Sequence, residues 1–270
     1  MAKRTVLWAI FTALTLITAL PREAVSADDP NARAIMEKVD GRDDGDDATM
    51  DQEMILIDRI GKQRIRKIKT FVKDFGNDSF RIMFFVEPAD MRGTAFLTYD
   101  HDGDLDDDQW LYLPALKRTK RIASREKSQS FMGSDFSFAD LTKPEIEKYE
   151  YRLLKEKEVN GYKTWLIEAK PNSIKVVSEY GYTKSLLFVR QENFVVVRAV
   201  HWVEGGDFLK YMDVKRLELI DDIWVPTEIH MTKRRGKITE HKSIMRLYNV
   251  RFNQILNKNL FTVRQLEKGL

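Results

Sequence analysis

From Thr49 to Asn253 the chain repeats one pattern: a short run rich in β-branched and aromatic residues, then a turn signal. The turn signals are Ile60-Gly61-Lys62, Gly76-Asn77-Asp78, Asn160-Gly161, Glu192-Asn193, Gly205-Gly206-Asp207, Asp221-Asp222 and Arg235-Gly236. Asn160-Gly161 is the strongest, because a type I′ hairpin turn requires positive φ at both central residues. About a dozen such runs with tight turns between them predict an antiparallel meander. Several runs are apolar on both faces. Within 80–86, Phe80, Ile82, Phe84 and Val86 share one face while Met83 and Phe85 take the other, and 186–189 and 194–197 behave alike. A strand solvated on one side would alternate cleanly. One side of these strands is therefore expected to meet a core or cavity, and the other a helix, loop or partner.

The pattern breaks in three places. Asp28-Asp29-Pro30 opens a helix, with aspartate as cap, proline in the first turn and a stripe of Ala34, Ile35 and Val39; it should stop near Gly41. The acidic stretch Asp40 to Asp47 follows and reads as a solvated connection. Between Ser124 and Glu147 the strand pattern gives way to an irregular or partly helical segment, and Leu260 to Lys268 reads as a short helix or an extended tail. Phe131, Met132, Phe136, Phe138 and Leu141 make the middle segment too apolar for a wet loop, and Gly133 gives it a flexible point.

The N-terminus has the layout of a secretory signal: Lys3 and Arg4, an apolar run from Val6 to Leu20, and Val25-Ser26-Ala27 as a cleavage site. That run is short for a spanning helix, which needs about 20 residues. Cleavage after Ala27 leaves residues 28–270 as one domain, expected in the periplasm. The chain has no cysteine, so disulfides, thiolate metal sites and lipidation at a lipobox are excluded, and stability must come from the core. The formal charge of +3 loses three cations and Glu23 with the signal, leaving +1, and nothing argues for nucleic acid.

Candidate chemistry is sparse. Residues 100–108, Asp-His-Asp-Gly-Asp-Leu-Asp-Asp-Asp, suggest calcium, but neither register supplies the glycine and terminal glutamate of an EF-hand loop, so an acidic hairpin tip joining two strands is favoured. No metal or cofactor is expected. Lys117, Arg118, Lys120 and Arg121 form a cationic strand, and Lys62, Arg64, Arg66, Lys67 and Lys69 a second. Each reads either as charge protecting a sheet edge or as a docking surface for anionic headgroups or an acidic partner. His101, His201, His230 and His241 build no zinc motif, and Gly133-Ser134-Asp135 lacks the hydrolase elbow; Ser134 and Asp135 read as a turn or cap. Trp202 and Trp224 fall on strands and are expected to pack.

Taken in order, 59–64 (Arg-Ile-Gly-Lys-Gln-Arg), 85–96, 110–118 (Trp-Leu-Tyr-Leu-Pro-Ala-Leu-Lys-Arg) and 131–136 (Phe-Met-Gly-Ser-Asp-Phe) resemble the outer-membrane lipoprotein-sorting proteins of Gram-negative bacteria, in the branch related to the periplasmic carrier LolA. The resemblance runs from about Ala48 to the C-terminus. It implies a mainly β fold: a strongly curved antiparallel sheet, an incomplete barrel, closed by a helical lid over a hydrophobic cavity. It also implies a non-enzymatic carrier of lipoprotein or lipid acyl chains, or a lipid-sensing adaptor, with an inner-membrane RND-type transporter or an outer-membrane acceptor as partner. Lid and cavity candidates are Phe84, Phe96, Leu111, Leu113, Phe131, Met132, Phe136 and Phe138, and docking candidates are Lys117, Arg118, Lys120 and Arg121. Enclosure is the physical requirement. An acyl chain in water exposes roughly 0.8 kcal/mol per methylene, which a flat patch cannot offset.

Overall fold

The computed structural model describes residues 28–103 and 105–270; the expected signal segment lies outside them. The chain runs α1 (Pro30–Asp40), β1 (Asp47–Asp58), β2 (Gln63–Phe75), β3 (Asp78–Glu87), β4 (Ala95–Asp100), β5 (Asp108–Leu113) and β6 (Arg118–Arg121). After an irregular segment come β7 (Tyr149–Val159), β8 (Tyr162–Pro171), α2 (Ile174–Tyr180), β9 (Tyr182–Arg190), β10 (Val196–Val203), β11 (Leu209–Ile220), β12 (Ile223–Arg235), β13 (Ile238–Phe252) and α3 (Val263–Lys268). All thirteen strands belong to one antiparallel sheet in the order β6-β5-β4-β3-β2-β1-β13-β12-β11-β10-β9-β8-β7. The expected hairpins form, and at Asn160-Gly161 both residues have positive φ, 53° and 84°.

This order explains the break in the pattern. β6 and β7 are neighbours along the chain but stand at opposite edges of the sheet, so residues 122–148 must cross from one edge to the other. They cross over the inner face. Residues of β1 to β5, β11, β12 and β13 meet in a single apolar cluster with Phe131, Phe136 and Phe138. Eight strands laid flat would span roughly 34 Å at about 4.8 Å per strand, so only a strongly curved sheet lets them share one cluster. The crossing segment is built of single 3₁₀ turns, at Ser124–Glu126, Phe131–Gly133, Ala139–Leu141 and Ile146–Lys148, rather than a continuous helix.

The doubly apolar strand 80–86 is covered on both sides, as its pattern required, whereas in 186–189 Leu187 and Val189 meet α1 and α2 while Leu186 and Phe188 pack with side chains of neighbouring strands. Met83, Phe85 and Phe96 face the crossing segment, while Ile82, Phe84, Ala95 and Leu97 pack with Phe261 and Leu266 of the C-terminal arm and α3. α1 begins as expected, with the Asp29 carboxylate accepting from Asn31 N at 2.9 Å, but its buried stripe is Ala32, Ile35, Met36 and Val39, and Ala34 is exposed. The start of this helix also protects the free edge of β7: Asp29 N donates to Tyr151 O at 2.8 Å, and Asp28 Oδ1 accepts from Tyr151 N at 2.9 Å. The acidic connection before β1 is not wholly solvated. Asp47 is buried and accepts from Gln254 N (2.6 Å), Leu256 N (2.9 Å) and Lys73 Nζ (3.3 Å), which fixes the arm leading to α3. Burial alone would raise its pKa; the two backbone donors and Lys73 outweigh it and hold the carboxyl below its ordinary value.

Candidate functional site

Residues 127–142 fill the inside of the curved sheet, and we call them the plug. Phe131 has no exposed surface, and its ring centre lies 6.1 Å from Phe85, 5.1 Å from Phe96 and 5.5 Å from Phe138. Phe96 and Phe138 lie 5.5 Å apart. Met132 and Leu113 pack at the margin of the same cluster. The aromatic rings of the plug thus occupy the space that a half-open barrel would offer to an apolar ligand.

Polar side chains of the sheet hold the plug by its backbone. Arg66 donates to Met132 O, Arg81 Nη1 to Leu141 O at 2.7 Å, and Gln109 Nε2 to Phe138 O at 3.0 Å. Burial lowers the pKa of both guanidinium groups, which stay charged at neutral pH. Ser243 Oγ, fully buried on β13, donates to Asp135 Oδ2 at 2.8 Å and accepts from Asp135 N at 2.9 Å, and His241 Nδ1 lies 2.7 Å from the same carboxylate oxygen. Tyr182 OH donates to Asp140 at 2.9 Å and accepts from Lys210 Nζ at 3.1 Å. The plug's short turns need such help: Met132 and Gly133 both have positive φ, and a segment with little regular hydrogen bonding must find partners elsewhere when buried.

A serine, a histidine and an aspartate in contact invite a hydrolase reading, which the geometry opposes. Both Ser243 Oγ and His241 Nδ1 address Asp135, so the serine does not present its proton to the imidazole, and Ser243 has no surface for a substrate to reach. Asp135 is a structural carboxylate pinning the plug.

Beside the plug opens a polar pocket of about 380 Å³, walled by Ser130 and Asp135 of the plug, Tyr182, Lys210, Lys233 and His241. Gly181, at its edge, has φ +75°, and a Cβ there would lie 2.9 Å from Ser128 Cβ, so the glycine lets the plug pass close to the end of α2. Two ammonium groups and several hydroxyls suit a polar or anionic group of a ligand. Among the described residues no three histidine or carboxylate side chains converge as metal ligands would.

Of the residues singled out from sequence, Phe96, Leu111, Leu113, Phe131, Met132, Phe136 and Phe138 come together in and around the plug cluster. Phe84 does not: strand alternation carries it to the outer face, 6.3 Å from Phe71 and under α3. Lys117, Arg118, Lys120 and Arg121 are exposed on and beside the edge strand β6; Lys120 pairs with Glu126 at 2.9 Å and Arg121 with Asp108, whereas Lys117 and Arg118 have no ion pair among the described residues. The acidic stretch 100–108 is the β4–β5 tip. Its Asp107 is buried 3.5 Å from Lys127 Nζ, which also meets Glu179 at 2.8 Å, so the tip anchors the start of the plug. Trp202 and Trp224 are half-buried beneath Lys184 and Arg190.

Lys210, Lys233 and Ser243 were not foreseen, and Arg66, Asp135 and His241 were named from sequence without this grouping, though a signal existed. Arg66, Lys210, Lys233 and the pair His241 and Ser243 share strand parity with the inward-facing Ile68, Met212, Met231 and Met245. Each is a polar residue at an inward position toward one end of its strand. Together they make the mouth of an otherwise apolar barrel polar.

The half-open antiparallel sheet described above has solved neighbours of the same fold. A LolA superfamily protein from Nitrosomonas europaea shares it at TM-score 0.66 and 21% identity, over 87% of this chain and 98% of that one. A family model with the description "Uncharacterized protein" matches residues 77–268, and the chain belongs to that family, DUF1329. A DUF1329 family protein from Desulfovibrio piger is similar at TM-score 0.80 and 28% identity, over 87% of this chain and 98% of that one. A domain from Vibrio parahaemolyticus described as an outer membrane lipoprotein-sorting protein domain is similar at TM-score 0.79 and 31% identity, over 88% and 98%. No curated protein matches the chain.

Proposed function

We propose that the protein is a non-enzymatic periplasmic carrier of acylated or otherwise hydrophobic cargo, exported by a signal segment that is cleaved after Ala27. The observation that carries this reading is the plug: aromatic side chains fill the inside of an unclosed barrel, yet the segment bearing them is held at its backbone by polar groups that a ligand or water could replace. In the loaded state the cargo chain takes the place of Phe131, Phe136 and Phe138, with Phe96, Leu111 and Leu113 as its walls, and the plug swings out about Gly133. The similarity to a lipoprotein-sorting protein domain over nearly its whole length supports the same role. Lys117 and Arg118, exposed on the edge without an ion pair among the described residues, would dock an acidic acceptor or an RND-type transporter.

The decisive experiment is a titration of delipidated protein with a fluorescent fatty-acyl probe, alongside native mass spectrometry of protein isolated gently from periplasm. Saturable binding and a co-purified acyl species are expected; a protein that binds no probe would remove the carrier reading. A second reading, a lipid-sensing adaptor, draws on the same pins, since release of the plug would free β9, β11 and β13 contacts at once. Transfer of probe to acceptor vesicles separates the two, because an adaptor holds its ligand.

A further inference from the structure

The end of the sheet beside the polar mouth carries an unusual surface. Two hairpin tips stand side by side there, β1–β2 and β12–β13, because β1 pairs with β13 with Asp58 opposite His241. Within 59–64 and 233–238 the chain places seven cations, Arg59, Lys62, Arg64, Lys233, Arg234, Arg235 and Lys237, and no carboxylate. Arg59, Lys62, Arg64, Arg235 and Lys237 have no ion pair among the described residues and are exposed. The β10–β11 tip joins them: Lys233 and Arg235 lie 4.2 and 4.5 Å from the ring centre of its Phe208. Each of the two cationic tips also bears a bare isoleucine, Ile60 at 87% exposure and Ile238 at 47%.

A single exposed isoleucine needs no explanation. Two of them on neighbouring tips, among seven cations that outnumber the nearby carboxylates Asp58, Glu204, Asp207 and Glu240, have the composition of a surface that lies on an anionic bilayer, with apolar tips entering the headgroup boundary and cations meeting phosphates. An acidic protein would satisfy the charge but leaves the isoleucines at the apex without a role. We propose that the β1–β2 and β12–β13 tips dock the protein on an anionic phospholipid surface. The bilayer would then face the polar mouth, since Lys233 walls the pocket and Arg66, two residues beyond the β1–β2 basic run, pins the plug. The docking surface does not depend on the carrier reading and is tested without any cargo.

The test is flotation of the mature protein with vesicles of phosphatidylcholine containing phosphatidylglycerol, against phosphatidylcholine alone. Binding to the anionic vesicles is expected, falling as salt rises. A variant carrying Lys62→Glu, Arg64→Glu, Arg235→Glu and Lys237→Glu should lose it by at least two orders of magnitude, at about fivefold for each cation removed. Ile60→Ser with Ile238→Ser should weaken binding while leaving its salt dependence intact. A control variant, Lys155→Glu with Lys157→Glu, both exposed on β7, should bind as wild type. Because the chain has no cysteine, Ile60→Cys gives one labelling site, and an environment-sensitive dye there should shift to the blue on anionic vesicles. Melting curves confirm that each variant is folded. Equal binding to both vesicle types, hairpin variants that bind like wild type, or a dye that reports water throughout would each overturn the proposal.

Discussion

The central strands β3 and β4 are covered twice, by the plug inside and by α3 outside, and the two covers are held differently. α3 is a capped helix: Thr262 accepts from Gln265 N at 3.1 Å, Leu266 is fully buried, and Phe261 packs 5.9 Å from Phe75. Asp47 holds the arm leading to it through Gln254 N and Leu256 N, and Tyr99 OH to Phe261 O at 2.7 Å ties its entry to the sheet. Its backbone is otherwise satisfied locally, as a helix allows. The plug is apolar inside too, and besides the bonds of its own short turns it draws backbone partners from β2, β3, β5 and β13. Apolar burial is not directional, whereas a borrowed hydrogen bond is lost as soon as the segment moves. The difference is why the proposed carrier role assigns the movement to the plug and not to α3.

The largest effect expected is common to both covers. Phe131→Ala and Phe261→Ala each empty a fully packed aromatic site and should lower stability in chemical denaturation by about 3–5 kcal/mol. If Phe131→Ala cost much less, the plug would already be loosely held, and the likeness of the two covers as core would fail. Smaller paired changes separate them. Ser243→Ala removes a plug pin and leaves Asp135 short of partners, at a cost of about 1–3 kcal/mol; Tyr99→Phe removes the α3 tie for about 1 kcal/mol. Only the first should alter acyl-probe binding, and upward, because it disfavours the closed form with which cargo competes, by up to about tenfold for each 1.4 kcal/mol. Equal probe affinity in the two variants would mean that the plug does not move.

How much of this was legible in the sequence follows from what each signal encodes. Period-two alternation and turn residues revealed the meander, and Asn160-Gly161 even its turn type, because those signals are local. The doubly apolar strand 80–86 announced two covers without naming them. Assigning Phe84 to the cavity failed because parity says which residues share a face, and not which face is inside. The plug's place was hidden for a topological reason: only the strand order, with β6 and β7 at opposite edges, sends residues 122–148 across the interior. The polar mouth was readable in principle, as inward-parity Lys210, Lys233, His241 and Ser243, but each looked like an ordinary polar residue until the strands were paired.

Acid should act on the two sides of the plug in opposite senses. His201, next to Ser185 at 2.7 Å and stacked on Tyr182, is pushed by burial down to about 4 from 6.5, with Asp140 opposing and Lys210 adding. The unfolded chain takes up this proton first, so stability present above pH 6.5 falls as pH drops toward 4. Asp100, which accepts from Lys143 N just after the plug, is raised by burial, and then by Asp107, from 3.8 to about 6. Here the folded chain takes up the proton first, so stability rises as pH falls from 6 toward 4. Urea denaturation across this range should show a steeper acid loss for Asp100→Asn and a shallower one for His201→Gln. The opposite order would reverse the assignment of the two groups.

The smallest effect belongs to the margin where neither cover reaches. β6 is a four-residue edge strand, tied to α3 through Thr119 Oγ1 donating to Glu267 at 2.6 Å, whereas the β7 edge is capped by Asp28 and Asp29. Charge is what remains to protect β6. Lys120 and Arg121 pair at the surface with Glu126 and Asp108, and exposed pairs of this kind contribute little, so alanine at either position should leave the denaturation curve within its error. The protection is collective. Changing Lys117, Arg118, Lys120 and Arg121 together to threonine keeps strand propensity and removes the repulsion, so light scattering should report concentration-dependent association through the bare edge while the monomer unfolds at its original midpoint. If that variant stays monomeric, edge protection is not what these charges do. Their one remaining role would then be the docking of an acidic acceptor, which should fail on reversal of Lys117 and Arg118 alone.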